Sequence, residues 1–313
     1  MTEFRRVALR TGVTLNVALA GPAEAPPVIL LHGFPESHRT WRGLAPLLED
    51  SFRLVMPDQR GFAGSDRPPE VEAYTTETLV DDIFALAEAL GIERFALVGH
   101  DWGGAIAWPA ALLNDHRPEA DRPPDGPIRP MLERLAIINA PHPLVFQKSL
   151  IEDADQRAAS QYITAFRTPG FEKAPEAMGW DTFFDKSFSG HVDLAIIPPE
   201  ERAQYIVEWS EPGGFEAMLN WYRASRLIVP PPGAEVPIPD WVLGLFPKVK
   251  VPTLVVWGIK DKALLPLQLD GLDRLIEDLT ITRIPDAGHF VPWEKPEAVA
   301  AALKPFLAGA QGA

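Results

Sequence analysis

The sequence contains no cysteine, which removes disulfides, thiolate nucleophiles and zinc–sulfur sites while leaving the redox compartment open. It also lacks a long basic run, and 29 basic against 43 acidic residues give a net charge of −14. That balance argues against nucleic acid and against docking on anionic lipid. The apolar stretch from Val13 to Leu31 is broken by Thr14, Asn16, Glu24 and three prolines, so neither a signal peptide nor a membrane anchor is expected, and the expected location is cytoplasmic. His-Glu-x-x-His is absent and the seven histidines are scattered, so the sequence predicts no metal and no other cofactor. Tyrosine is scarce, at four residues.

What remains is a chain of 313 residues, 46% hydrophobic and 23% charged, with the make-up of a globular enzyme able to enclose a buried pocket. Short apolar, β-rich runs recur at Val28–Leu31, Phe52–Met56, Phe95–Val98, Leu135–Ile138, Thr253–Trp257 and Leu279–Ile284. Runs of that kind suit parallel strands covered on both faces. Helical patterns stand between them. Thr76–Leu90 carries Leu79, Ile83, Leu86 and Leu90 at helical spacing and stops at Gly91; Gly103–Leu113 contains Pro109, a possible kink; Pro296–Leu307 opens on proline. The pattern predicts an open, mostly parallel α/β sheet flanked by helices. Between His142 and Val251 the alternation gives way to helical, aromatic and proline-rich sequence. This predicts a mainly helical lid over 142–248, inserted between core segments 1–141 and 249–313. Its end, Val229–Asp240, reads as a stiff strap, and Pro118–Pro130 as an exposed loop.

In Val98-Gly99-His100-Asp101-Trp102-Gly103-Gly104 a carboxylate sits among small residues at a strand-to-helix turn, the setting of a nucleophile elbow. Taken alone, such an aspartate reads first as a helix N-cap. The rest of the chain changes that. His32-Gly33-Phe34-Pro35-Glu36-Ser37, Asp58-Gln59-Arg60-Gly61, the Asp101 motif and Gly288-His289-Phe290 together resemble the epoxide hydrolase branch of the α/β-hydrolases, and the likeness spans nearly the whole chain. Ala63, where that family more often has glycine, and the Pro118–Pro130 insertion depart from the pattern.

The resemblance implies an α/β-hydrolase fold and a triad in the order Asp101 (nucleophile), Asp261 (acid) and His289 (base), each after a strand end. Asp286 is a competing partner for His289. An aspartate nucleophile suits an sp³ carbon, because attack on a carboxylic ester would give an anhydride. Displacement makes an alkyl ester of Asp101, which water activated by His289 then hydrolyses. The oxyanion donors implied are the backbone N–H groups of Phe34 and Trp102, with a cis Phe34–Pro35 bond. An opening epoxide needs an acid whereas a departing halide does not, and Tyr162 and Tyr222 resemble the family's paired ring-opening tyrosines. The expected substrates are a small hydrophobic epoxide and water, handled by a monomer or homodimer. The alternatives are a haloalkane dehalogenase using the same aspartate, weakened by Phe34 standing where a polar halide donor is usual, and a non-catalytic hydrolase-fold binding protein. His38 and Arg39 have nothing that aims them at the pocket, and His100 and His142 read as structural.

Overall fold

In a computed structural model describing residues 2–116 and 130–309, eight strands among the described residues form one sheet. They are β1 (Glu3–Ala8), β2 (Thr14–Ala20), β3 (Pro27–Leu31), β4 (Arg53–Pro57), β5 (Arg94–His100), β6 (Met131–Ile138), β7 (Thr253–Gly258) and β8 (Leu279–Ile284), in the order β1-β2-β4-β3-β5-β6-β7-β8. β3 to β8 pair in parallel, and β2 runs against both of its neighbours. Apart from Pro130, the loop expected over Pro118–Pro130 lies outside the described residues.

The strands named from the sequence are present, and β1 and β2 are additional. β1 escapes the apolar-run criterion because it is an edge strand: Arg5 and Arg6 face solvent, Phe4 is 57% exposed, and only Val7 is buried. A charged edge of this kind blocks further strand pairing. β2 alternates half-buried and buried positions and is interrupted by Asn16, whose amide donates to Asp58 at 2.8 Å.

Strand periodicity splits the core into two layers. Ile29, Leu31, Leu97, Ile137 and Val255 point to one face and Val28, Leu30, Val98, Ile138 and Val256 to the other. Helices α1 (Thr76–Ala89) and α2 (Trp102–Asp115) cover the first face with Leu79, Ile83, Leu86 and Ile106. The last helix, Pro296–Ala308, covers the second with Val299, Leu303 and Leu307. Burying each such aliphatic side chain contributes about 1.5–3 kcal/mol. Thr75 caps α1, its hydroxyl accepting from the Thr78 N–H at 3.4 Å, and Gly91 follows its end at φ +67°. Pro109 lies inside α2 without ending it.

Between β6 and β7 the chain leaves the sheet and forms α3 (Pro143–Glu152), α4 (Gln161–Arg167), α5 (Trp180–Phe188), α6 (Pro199–Ser210) and α7 (Gly214–Ala224), with shorter turns between. Indole N–H groups fasten these helices to the core: Trp209 donates to Pro35 O at 2.7 Å and Trp221 to Arg60 O at 2.9 Å. Arg39 grips Glu201 and Glu208 of α6 at 3.1 and 3.0 Å. The proline-rich return strap is pinned in turn, Gln161 donating to Pro230 O at 3.0 Å and Arg157 to Ala234 O at 2.9 Å. No helix among the described residues is long and apolar enough to cross a membrane.

Candidate active site

The parallel register sets His100 of β5 against Ile138 of β6, and Ile138 against Val256 of β7, so the carboxyl ends of the central strands lie side by side. The next residues on each chain segment build the site. Asp101 follows β5 directly, at φ 50° and ψ −120°. That backbone costs a residue with a side chain about 1–3 kcal/mol. It makes no side-chain cap bond to α2, so the N-cap explanation for this aspartate falls.

The glycines around the turn are there for want of space. A Cβ on Gly33 would stand 2.4 Å from the Asp101 Cβ, and one on Gly99 2.6 Å from Gly103 O. One on Gly103 would stand 2.1 Å from Leu31 O and 2.6 Å from His32 O, both backbone atoms. Gly103→Ala is therefore expected to destabilise the fold by at least about 3 kcal/mol, seen as a lower midpoint in urea. An unchanged midpoint would mean that the elbow opens far enough to admit a methyl group.

Asp101 Oδ1 accepts the Phe34 N–H at 2.8 Å, and Asp101 Oδ2 lies 3.4 Å from His289 Nε2. His289 Nδ1 lies 2.7 Å from Asp261 Oδ2. Asp261 is held by the N–H groups of Ala263 and Leu264 at 2.8 and 2.9 Å, and by the Asn139 amide at 2.8 Å. Asp286, the competing partner, is instead exposed and paired with Lys295. The Phe34–Pro35 bond is cis.

Burial opposes the charge on both carboxylates, yet each is held below the usual carboxylate range. For Asp101 the cause is the bond and charge of His289, then His100 and the Phe34 N–H; for Asp261 it is chiefly His289. Burial likewise opposes charge on His289, but Asp261 and Asp101 outweigh it and hold the imidazole well above its ordinary value. These directions favour an imidazolium between the two carboxylates, and loss of either negative charge would lower the imidazole toward its ordinary value.

Tyr162 of α4 and Tyr222 of α7 share with Asp101 the walls of two cavities. Their ring centroids are 6.1 Å apart. Burial raises both phenols, reinforced for Tyr162 by Asp101 and Asp261, and for Tyr222 by Tyr162 and Asp101 against a lowering hydrogen bond from Trp102. Both stay protonated through the neutral range. Trp102 opens α2, with its indole edge-on to Tyr222 at 5.0 Å. The Phe34 ring packs on Phe166 and Tyr222, each at 5.1 Å.

Three supporting residues escaped the sequence. Asn139, at φ 41° after β6, donates to Asp261 and accepts the Gly258 N–H at 2.8 Å. Arg167 donates to the carbonyls of Tyr222, Ser225 and Leu227 at 2.8 to 3.0 Å, which ties the two tyrosine helices together. His191, after α5, has its ring 6.0 Å from that of His289. An asparagine after a strand or a basic residue on a helix carries no sign of such a role in sequence. His100 lies between Glu36 and the His289 carbonyl, at 3.0 and 2.8 Å, and His142 caps α3 by accepting the Leu144 N–H at 3.3 Å. His38 is taken up by Asp58 at 2.7 Å.

A family model for the alpha/beta hydrolase fold matches residues 26–119. Epoxide hydrolase A of Mycobacterium tuberculosis is 34% identical over 323 residues, covering 95% of each chain. Among solved structures, an epoxide hydrolase from metagenomes of hot environments shares 46% identity with a TM-score of 0.86 over 99% of both chains. The Bacillus megaterium epoxide hydrolase bound to an inhibitor shares 25% with a TM-score of 0.80, over 98% of this chain and 100% of that one.

Proposed function

Because this chain belongs to the epoxide hydrolase family of the α/β-hydrolases, we propose that it opens epoxides to vicinal diols through an alkyl ester on Asp101. Asp101 Oδ2 attacks a ring carbon, the C–O bond breaks, and Tyr162 or Tyr222 gives its proton to the departing oxygen. The tyrosinate takes back a proton from the His289 imidazolium, and water between His289 and the ester then loses a proton to Nε2 and attacks the Asp101 carbonyl carbon. The oxyanion collects on Oδ1, which already accepts the Phe34 N–H, with the Trp102 N–H as second donor. Collapse releases the diol, the departing ester oxygen taking the proton of the added hydroxyl, and leaves Asp101 ionised, the tyrosine neutral and His289 protonated, as at the start. The helices over 142–248 act as the lid that brings the tyrosines.

The observation that carries this reading is the pair of protonated tyrosines walling the same cavities as Asp101. A halide leaves as a stable anion and has no use for them. The test is turnover of a styrene-type epoxide and of a 1-bromoalkane by the wild type and by the Tyr162→Phe, Tyr222→Phe double variant. The wild type should form diol, and the double variant should lose about 10²–10⁴-fold in rate. Bromide release that survives the double change, with no diol from the epoxide, would make the protein a dehalogenase whose tyrosines only pack.

A further inference from the structure

His289 stands in the loop that joins β8 to the short helix Val291–Glu294, and the sheet fastens the backbone of that loop at three points. Ala287 O accepts the Lys260 N–H at 2.9 Å, and His289 O accepts from His100 Nε2 at 2.8 Å. Gly288 O lies against Gly258, where a Cβ would stand 2.2 Å from it. All three contacts come from β5, or from β7 and the turn after it.

The Gly288 N–H is held differently. It donates to both carboxylate oxygens of Glu294, at 3.0 and 2.9 Å, so the loop is closed by a side chain from its own far end. The short helix brings that carboxylate back: the Trp293 and Glu294 N–H groups donate to Phe290 O at 2.8 and 3.0 Å, and the buried Trp293 ring packs on Phe188 and Phe290 at 5.1 and 5.0 Å. Glycine at 288 leaves the approach open, since a Cβ there would stand 3.2 Å from His191 O and 3.4 Å from Glu294 Oε1. Burial pushes the Glu294 carboxyl above its ordinary value, while the Gly288 N–H and then the positive charge of His289 pull it the other way.

We propose that Glu294 is a positioning residue for the base: by gripping the Gly288 N–H it holds His289 with Nδ1 on Asp261 and Nε2 toward Asp101, and its contribution falls on hydrolysis of the Asp101 ester rather than on ring opening. The inference rests on the epoxide-opening reading and adds a residue to its second step. Glu294 touches no reacting atom. It acts through the next residue along from Gly288, whose Nε2 must meet a water aimed at the ester carbon, and misplacing such a group by about 1 Å can cost about 10²-fold in rate. Ring opening draws on Asp101 and a tyrosine, which other elements hold, so a loosened 288–294 loop leaves it nearly untouched. A residue that served only the fold would not separate the two steps.

The experiment mixes a styrene-type epoxide with an excess of the wild type, Glu294→Gln, Glu294→Met or Glu294→Ala and follows the adduct by rapid quench and intact-mass measurement, which gives its rates of formation and decay. Glutamine keeps an oxygen that accepts the Gly288 N–H, whereas methionine fills the same space without one and keeps the loop packed where alanine leaves a gap. In Glu294→Met and Glu294→Ala, formation should stay within about threefold of the wild type while decay slows roughly 10–10²-fold, so that adduct accumulates. Glu294→Gln should recover most of the wild-type decay rate. Equal slowing of both steps, unchanged decay in Glu294→Met and Glu294→Ala, or decay as slow in Glu294→Gln as in Glu294→Met would overturn the positioning role while leaving epoxide opening intact. No adduct and no diol from the wild type would instead sink the reading beneath it.

Discussion

His289→Gln is expected to trap the protein as its own intermediate: incubated with a styrene-type epoxide, it gains the mass of one epoxide molecule and releases almost no diol. Glutamine fills similar space and can still donate toward Asp261, but it takes up no proton at neutral pH. The ring-opening step uses Asp101 and a tyrosine and so proceeds, whereas the ester-hydrolysis step loses its base and slows by about 10³-fold. Intact-mass measurement separates the two steps. A variant with no adduct and no diol would place His289 in the first step as well; one with normal turnover would remove it from the chemistry.

Asp101→Ala should be as inactive and yet carry no adduct, with turnover down by on the order of 10⁵ or more. The buried Phe34 N–H and the His289 imidazole both lose the oxygen they face at 2.8 and 3.4 Å. Combining the two substitutions should also give no adduct, because the trapped species needs Asp101 before it can need His289. Adduct found in Asp101→Ala would move the nucleophile to another carboxylate and overturn the mechanism. Urea unfolding of the same samples separates lost chemistry from lost fold.

The sheet was legible where strands are covered on both faces, since β3, β5 and β7 are continuous apolar runs, and illegible at its charged edge, where β1 buries only Val7. Asp101, Asp261 and His289 could be singled out because a nucleophile elbow and its partners follow strand ends in a set order. The structure brings all three together with Phe34, Tyr162 and Tyr222. Asn139 and Arg167 were not legible, because their contribution is a contact with residues far along the chain: Asn139 meets Asp261, and Arg167 meets the carbonyls that follow Tyr222. The first forms only once β6 and β7 lie side by side, and the second only once α4 has packed on α7.

The helices between β6 and β7 leave Asp101, His289 and Phe34 at the ends of the sheet strands, and carry Tyr162 and Tyr222 on a separate segment. Under the proposed mechanism this is a division of labour by leaving group. The sheet determines that an sp³ carbon is attacked; the inserted segment determines whether what departs must be given a proton. Such a molecule can change its electrophile by exchange of one contiguous stretch of chain, provided that the stretch keeps the Trp209 and Trp221 attachments. Recombining insertions between hydrolases at β6 and β7 is then a route to new leaving groups, with the attacking machinery left as it is.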